Sequence, residues 1–259
     1  MQKNHENYLE LIWSLARTDF KLRYHGSFLG YIWAILKPLL MFLILNFVFS
    51  SIFNPRNSGT DHFSLQLIVS IMLFNFFNEG TMAGLGSLVN KSALVTKIYV
   101  PRWTIIMAST LNSLLVFAMN LLVIAAFFAW YLFWPGILPI LTFFFYIVLT
   151  YILILGFAFL TAPLFVRFRD LSQIWEVGAS ALFYASPVIY PLTALPEKYH
   201  TLILLNPMGF IIHFTKMALT QNHFASGGQL LIFSATVVAF FGVGIWSYSK
   251  MEKKIAEEI

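Results

Sequence analysis

The sequence predicts an all-α polytopic membrane protein with six transmembrane helices. Apolar residues make up 59% of the 259-residue chain and charged residues only 10%, whereas soluble globular proteins average about 45–50% and about 25%. The mean hydropathy is +0.78. Several apolar runs exceed the roughly 20 residues that a helix needs to cross a hydrocarbon core about 30 Å thick. We therefore treat residues 1–259 as a single transmembrane domain.

Residues 1–29 are predicted to form an amphipathic helix on the cytoplasmic membrane surface. Apolar and aromatic residues recur there at helical spacing, and most charged residues fall on the other side. The recurring positions are Tyr8, Leu11, Ile12, Leu15, Asp19 and Leu22, of which all but Asp19 are apolar or aromatic. The alternative is a poorly ordered leader. Gly26 and Gly30 then allow a turn into the first span.

Six apolar segments follow the amphipathic helix, and each is long enough to be interpreted as a membrane span. They are residues 31–53, 64–87, 103–133, 137–165, 173–190 and 228–249. Residues rich in helix breakers separate them, such as NPRNSGTDH after the first span and WPG at 134–136.

The distribution of lysine and arginine orients these spans. Basic residues concentrate in loops on the cytoplasmic side of a membrane protein. One set of loops holds Lys3, Arg17, Lys21, Arg23, Lys91, Lys97, Arg102, Arg167, Arg169, Lys250, Lys253 and Lys254, and the opposite set holds Arg56, Lys198 and Lys216. Both termini are therefore predicted to be cytoplasmic, as an even number of spans requires.

The segment 191–227 differs from the spans on either side of it. It contains Pro191, Pro196 and Pro207, so it is too broken to be one continuous span. It is also too apolar to be an ordinary exposed loop. We expect short helices that re-enter the membrane or lie on its outer face.

The sequence offers no constellation for catalysis, metal binding or nucleotide binding. Its six histidines form no HxxxH or HxxH pair, and it has no cysteine. It contains neither a GxxxxGK[ST] loop nor a GxSxG elbow. It also lacks a nucleic-acid-binding motif and a basic domain. We expect neither a cofactor nor a catalytic residue in this chain.

Charged residues inside apolar segments are the most informative polar groups. Lys37 precedes Pro38 in the first span, Glu79 lies deep in the second, and Glu176 lies near the start of the fifth. Charges at membrane depth are costly and usually face protein or water. They indicate a polar conduit, or pairs of charged residues on neighbouring helices that control access to it. The alternatives are snorkelling for Lys37 and an interfacial position for Glu176, whereas Glu79 is expected to have a partner.

Five motifs, taken in order, resemble the membrane subunit of ABC-type polysaccharide exporters. This family carries lipid-linked O-antigen, capsule and teichoic-acid chains out of bacteria. The motifs cover nearly the whole chain: LGYIWAILKPLL at 29–40, NKSALVTKIYVPR at 90–102, FRDL at 168–171, SPVIY at 186–190 and NP at 206–207. Any one of them is weak evidence, but the ordered set together with the six-span pattern is specific.

The resemblance implies a homodimeric pore with two copies of a separate P-loop ATPase on the cytoplasmic face. ATP and Mg²⁺ would be bound by that partner. In the family, a short coupling helix after the second span contacts the ATPase, and the FRDL loop is a second contact or hinge. The matching coupling residues are Asn90, Lys91, Leu94, Lys97, Pro101 and Arg102, with Arg169 and Asp170 in the FRDL loop.

The resemblance also implies a conduit along the first and fifth spans and an outer gate after SPVIY. Aromatic rings can pack on the C–H faces of sugars, although most of the 18% aromatic residues are expected to face lipid. The conduit candidates are Trp33, Lys37, Glu79, Trp175, Phe183 and Tyr184, and the gate candidates are Pro187, Tyr190 and Pro191. Arg17, Lys21 and Arg23 are candidates for binding a lipid phosphate, or simply anionic headgroups.

The predicted function is the transmembrane subunit of an ATP-driven exporter of a lipid-linked polysaccharide in the bacterial inner membrane. One alternative is an ABC permease for drugs or small lipids. Another is a proton-coupled secondary transporter, in which Glu79 would be central. A third is an integral-membrane transferase that acts without an ATPase.

Overall fold

The computed structural model describes residues 8–50, 62–97 and 100–258, with side chains for all of these except 95–97 and 253–258. The described residues form helices and connecting turns, and no strand occurs among them. The helices are α1 Tyr8–Tyr24, α2 Ile32–Phe49, α3 Phe63–Asn90, α4 Ser92–Lys97, α5 Arg102–Trp130, α6 Ile137–Arg167, α7 Leu171–Ala185, α8 His200–Leu205, α9 Pro207–Gln221 and α10 Gly227–Glu258. Two short 3₁₀ turns, Leu192–Ala194 and Glu197–Tyr199, precede α8.

Five helices are long and apolar enough to cross a membrane: α2, α3, α5, α6 and the 227–252 part of α10. They correspond to five of the six predicted spans, and the fold is that of a polytopic all-α membrane protein. The end of the predicted first span, 51–53, lies outside the described residues.

Helix α7 corresponds to the predicted fifth span, 173–190, but it is shorter. It has 15 residues and is therefore about 22 Å long, less than the thickness of a hydrocarbon core. It ends at Ala185 because Ser186 precedes Pro187 and adopts an extended conformation, which proline favours in the residue before it. Residues 186–190 form a turn rather than the last turn of a helix.

Helix α3 lies at the centre of the bundle, and its contacts with α5 and α6 are among the most extensive between helices. Small residues allow the close approach: a Cβ atom on Gly84 would lie 2.4 Å from the Cβ of Ala158 on α6. Larger rings fill the wider gaps, as where Phe76 of α3 stacks on Phe117 of α5 with 4.5 Å between centroids. This core fixes α3, α5 and α6 as the frame on which the other helices rest.

The apolar face predicted for helix α1 packs against the rest of the protein. Ile12 and Ala16 are buried, and the ring of Tyr8 lies 5.6 Å from that of Trp103 at the start of α5. Leu9 and Trp13 remain exposed. The helix therefore packs along α5 and presents a second apolar strip outward, and its position on a membrane surface stays a prediction.

The segment 191–227 contains the short helices that its sequence predicts. The 197–205 helical stretch and α9 meet at Asn206 with a bend of 110°. The Asn206 side chain accepts a hydrogen bond from the backbone N–H of Met208 at 3.1 Å, so it caps α9, and Pro207 occupies the first helical position. The pair therefore has the geometry of a re-entrant loop or a broken span, and its role as a gate stays a prediction.

Candidate functional site

A polar cavity of about 640 Å³ lies between α1, α2, α3 and α5. Four residues that the sequence singled out for charge or aromaticity line it together: Arg23, Trp33, Lys37 and Glu79. Arg23 comes from the end of α1, Trp33 and Lys37 from the first turns of α2, and Glu79 from the middle of α3. The packing of α1 against the bundle therefore brings a lipid-phosphate candidate beside three conduit candidates.

Glu79 has an ion-pair partner across this cavity. Its Oε2 atom accepts a hydrogen bond from Nη1 of Arg23 at 3.2 Å. Both side chains are about one-third exposed, so solvent weakens the attraction between them. The pair joins α1 to α3 and gives the Glu79 carboxylate a partner.

Three asparagines complete the cavity wall, and none was predicted from the sequence as a site residue. Asn75 and Asn78 lie on the α3 face that carries Glu79, at spacings of four and one residues, and Asn120 faces them from α5. Asn120 is 5% exposed, and its Oδ1 atom has no hydrogen-bond partner among the described residues. The sequence did carry one signal for these asparagines, which is that polar residues are unusual inside strongly apolar helices.

Tyr24 adds a hydroxyl at the α1 side of the cavity. Burial raises the pKa of Tyr24 above its ordinary value, although the neighbouring Arg23 guanidinium acts in the opposite direction. The phenol is therefore protonated at neutral pH and can donate as well as accept a hydrogen bond.

Arg17 and Lys21, the other lipid-phosphate candidates, are exposed on α1 and do not line this cavity.

The aromatic conduit candidates of the fifth span lie elsewhere. Trp175 of α7 donates its indole N–H to Oγ1 of Thr81 on α3 at 3.0 Å, and its ring lies 4.1 Å from that of Phe157 on α6. Phe183 contacts Phe74 of α3 edge to face at 5.1 Å, and Tyr184 is largely exposed. Trp175 also lines an apolar cavity of about 550 Å³ between α6, α8, α9 and α10. Of the conduit candidates, Trp33, Lys37 and Glu79 therefore line the polar cavity and Trp175 lines the apolar one, whereas Phe183 and Tyr184 line neither.

The predicted coupling segment, 90–102, is tied to the rest of the bundle at both ends. The ammonium of Lys91, just after Asn90 at the end of α3, forms an ion pair with the carboxylate of Asp19 on α1. Arg102, the first residue of α5 after Pro101, donates a hydrogen bond to the backbone carbonyl of Glu252 at 2.9 Å. Leu94 lies in α4, and the side chain of Lys97 is outside the described part.

The FRDL loop joins α6 to α7. The guanidinium of Arg169 lies 5.7 Å above the ring of Phe165. Asp170 occupies the N-cap position of α7, although its side chain accepts no capping hydrogen bond. Both residues are exposed, as a contact with another protein would require.

The gate candidates belong to a turn that polar side chains hold from two sides. Asn206 donates a hydrogen bond to Oγ of Ser186 at 2.9 Å. Lys216 of α9 is 6% exposed, and its ammonium donates to the backbone carbonyls of Pro187 and, at 3.3 Å, Tyr190. Pro191 is the N-cap residue immediately before the first 3₁₀ turn. Lys216, predicted as a charge in an outer loop, lies in a helix and is buried, because the backbone carbonyls of the turn accept hydrogen bonds from it; the side of the membrane on which it lies stays a prediction.

Within the described ranges, no group of three or more metal-ligating side chains comes together.

These features define a multi-pass α-helical membrane protein with polar and apolar cavities between its helices. Residues 10–220 match the family described as ABC-2 type transporter. The chain belongs to that family, and it is accordingly the membrane subunit of a transporter.

The chain is similar over nearly its whole length to several curated relatives. It is 26% identical over 252 residues to an O-antigen export system permease protein, RfbA, of Klebsiella pneumoniae, covering 96% of this chain and 94% of the relative. The RfbA protein of Myxococcus xanthus is 25% identical over 261 residues, covering 97% and 96%. The polysialic acid transport protein KpsM of Escherichia coli is 23% identical over 240 residues, covering 90% and 91%.

Proposed function

We propose that this protein is the transmembrane subunit of an ATP-driven exporter. It moves a lipid-linked polysaccharide, such as an O-antigen or a capsule-like glycan, from the cytoplasm across the inner membrane. The similarity to permeases named for O-antigen export, over 96% of this chain, carries the proposal. The similarity to a polysialic acid transport protein and the five ordered sequence motifs support it.

The exporter works with partners. Two copies of this chain form the translocation pathway, and two copies of a P-loop ATPase bind ATP and Mg²⁺ at the cytoplasmic face. Family membership supports an ATP-binding partner. The short helix α4 lies between the spans α3 and α5. This position supports the 90–102 segment as the main contact of the ATPase, because a displacement of a short element joined directly to two spans moves both spans.

Both termini lie in the cytoplasm. The clustering of lysine and arginine near residues 17–23, 91–102 and 167–169 and at the C-terminal end supports this orientation. Arg17, Lys21 and Arg23 then lie where the phosphate groups of a lipid carrier approach the protein.

ATP binding and hydrolysis move the 90–102 segment and the FRDL loop. The motion shifts α2 and α7, which carry the aromatic conduit candidates, and the 191–227 segment opens on the outer side. Helix α7 makes far fewer contacts with the central helices than α5 or α6 does, which supports it as a mobile element.

The test is transport by the purified chain and its ATPase in sealed vesicles. We expect lipid-linked glycan to stimulate ATP hydrolysis and to reach the opposite leaflet or lumen only when the ATPase is active. A complex whose ATPase subunit carries a Walker-A lysine substitution is the control. Stimulation by hydrophobic drugs alone, with no movement of glycan, would refute the proposal in favour of a drug or small-lipid permease.

A charge reversal in the FRDL loop tests the second contact. Asp170→Lys is expected to leave folding intact, because the side chain is exposed and caps nothing, but to lower the amount of glycan exported per ATP hydrolysed. Ser172→Lys, two residues on in α7, is the control for added positive charge. Equal export ratios in both variants and the wild type would remove Asp170 from the coupling path.

A further inference from the structure

We propose that the polar cavity between α1, α2, α3 and α5 is a saccharide-binding subsite. Asparagine amides hold sugar hydroxyls there, and an aromatic ring of α2 or α1 packs on a sugar face. The inference rests on the proposed function and names the part of the lipid-linked polysaccharide, its sugars rather than its phosphate, that this cavity binds.

Asn120 supplies the first argument. A buried carbonyl oxygen without a hydrogen-bond partner is costly, because it has given up its water without replacement. The Oδ1 atom of Asn120 is in this position, at the wall of a cavity of about 640 Å³, a size typical of small-molecule sites. The oxygen itself has almost no exposed surface, so a ligand in the cavity can donate to it only after the Asn120 side chain turns.

The wall opposite Asn120 provides further acceptors and donors. Asn75, Asn78 and Glu79 line the cavity from one face of α3, because residues three and four apart are neighbours on a helix surface. A carboxamide both donates and accepts, and a carboxylate only accepts. The adjacent hydroxyls of a sugar ring, each a donor and an acceptor, match this mixed wall.

Aromatic rings complete the match. Trp33 and Tyr24 line the same cavity, and the Trp33 side chain is 43% exposed, so much of the indole is available to a ligand. The face of an aromatic ring carries partial negative charge and attracts the polarised C–H groups on one face of a pyranose. Polar groups on one side and an aromatic face on the other distinguish a sugar site from a purely ionic one.

A phosphate fits this cavity less well. A fully ionised phosphate offers no donor to Asn120, and Arg23 is already paired with Glu79. Lys37, for which no ion pair is found among the described side chains, would be the main cation left to it. Phosphate binding is therefore treated as a separate outcome of the experiment.

The experiment compares three alanine variants of the full chain in nanodiscs. Asn120→Ala and Asn78→Ala remove wall residues of the cavity. Asn112→Ala is the matched control, because Asn112 is also a buried α5 asparagine with an unpartnered Oδ1 atom but does not line this cavity. Asn78 is only partly buried, so its variant remains informative if Asn120→Ala does not fold.

Two probes separate sugar from phosphate. The first is the polysaccharide released from its lipid carrier by mild acid, which carries neither lipid nor pyrophosphate. The second is undecaprenyl phosphate. We expect Asn120→Ala and Asn78→Ala each to weaken binding of the released polysaccharide about three- to tenfold, the effect of one lost hydrogen bond. Asn112→Ala should bind it as the wild type does, and no variant should change undecaprenyl phosphate binding.

Several results would overturn the inference. Equal losses in the Asn120 and Asn112 variants would indicate a general effect on the fold. A loss confined to undecaprenyl phosphate would assign the cavity to phosphate. Failure of the wild type to bind released polysaccharide, while it still exports lipid-linked glycan in vesicles, would remove the subsite and leave the proposed function intact. Failure of that wild-type export would instead remove the proposed function itself.

Discussion

Asp19 and Lys91 form an ion pair that joins α1 to the residue following α3. Their side chains are 23% and 16% exposed, so the pair is better shielded from solvent than the Arg23–Glu79 pair at the polar cavity. The amphipathic helix is thus connected to the start of the 90–102 segment at one point and to the cavity at another.

The first prediction concerns this pair. Asp19→Lys or Lys91→Asp alone places like charges side by side and should lower the glycan exported per ATP hydrolysed, because α1 no longer follows the segment beside it. The double variant Asp19→Lys/Lys91→Asp should recover most of the loss. A double-mutant cycle on unfolding should give a coupling energy of about 0.5–1 kcal/mol. If the losses of the two single variants simply add in the double variant, the two side chains are not coupled.

The second prediction concerns Lys216. Lys216→Met leaves the carbonyls of Pro187 and Tyr190 without their donor and should lower the free energy of unfolding by about 1–3 kcal/mol. Amide hydrogen exchange at 188–190 should also accelerate. Lys198→Met, which changes an exposed lysine on the preceding 3₁₀ turn, is the control and should alter neither quantity. Unchanged exchange in Lys216→Met would mean that the turn holds its shape without the ammonium.

The third prediction compares two glycines of α10. A Cβ atom on Gly244 would lie 2.3 Å from the carbonyl oxygen of Gly156 on α6, whereas one on Gly242 meets nothing within 4 Å. Gly244→Ala should therefore destabilise the protein by about 1–3 kcal/mol through overpacking. Gly242→Ala should be neutral or stabilise by up to about 1 kcal/mol, since alanine favours helix. Unfolding in detergent measures both, and equal effects would contradict this contact between α6 and α10.

The fourth prediction concerns the attachment of α7. Trp175→Phe keeps an aromatic ring beside Phe157 but loses the hydrogen bond to Thr81, which should cost about 1 kcal/mol. Trp175→Ala loses both contacts and should reduce export and stability further. Thr81→Val tests the bond from the other side and should resemble Trp175→Phe. If the alanine and phenylalanine variants behave alike, the ring contact does not hold α7.

The bounds of α3, α5 and α6 were predictable to within a few residues because the length of each apolar run limits them, whereas α10 continues to Glu258, nine residues beyond the predicted end of the sixth span. The predicted span 103–133 corresponds to α5, Arg102–Trp130, which stops short because Leu132 adopts a positive φ of 48° that ends the helix. The shortness of α7 was less evident. The effect of Pro187 on Ser186 is local, but the apolar residues after it, Val188 and Ile189, suggest a continuing span.

The partners of the polar groups that lie between helices could not be predicted from one sequence. Glu79 was expected to have a partner, but Arg23 lies 56 residues away, and only the packing of α1 brings the two together. The burial of Lys216 was not predicted either, because its acceptors are backbone carbonyls, which carry no sequence signal. The asparagines of the cavity were visible as polar residues in apolar helices, but their convergence depends on how α5 packs against α3.

The approach of Gly244 to Gly156 has a consequence for engineering. Neither residue has a side chain that could adapt to a foreign neighbour, so at this point the main chains of α6 and α10 are in direct contact, although side chains such as Phe159 and Tyr248 pack elsewhere along the interface. Hybrid permeases assembled from two relatives should therefore tolerate a crossover within the 131–136 connection, which leaves both helices from one parent. A crossover between α6 and α10 should be tolerated only when both parents have glycine at these two positions.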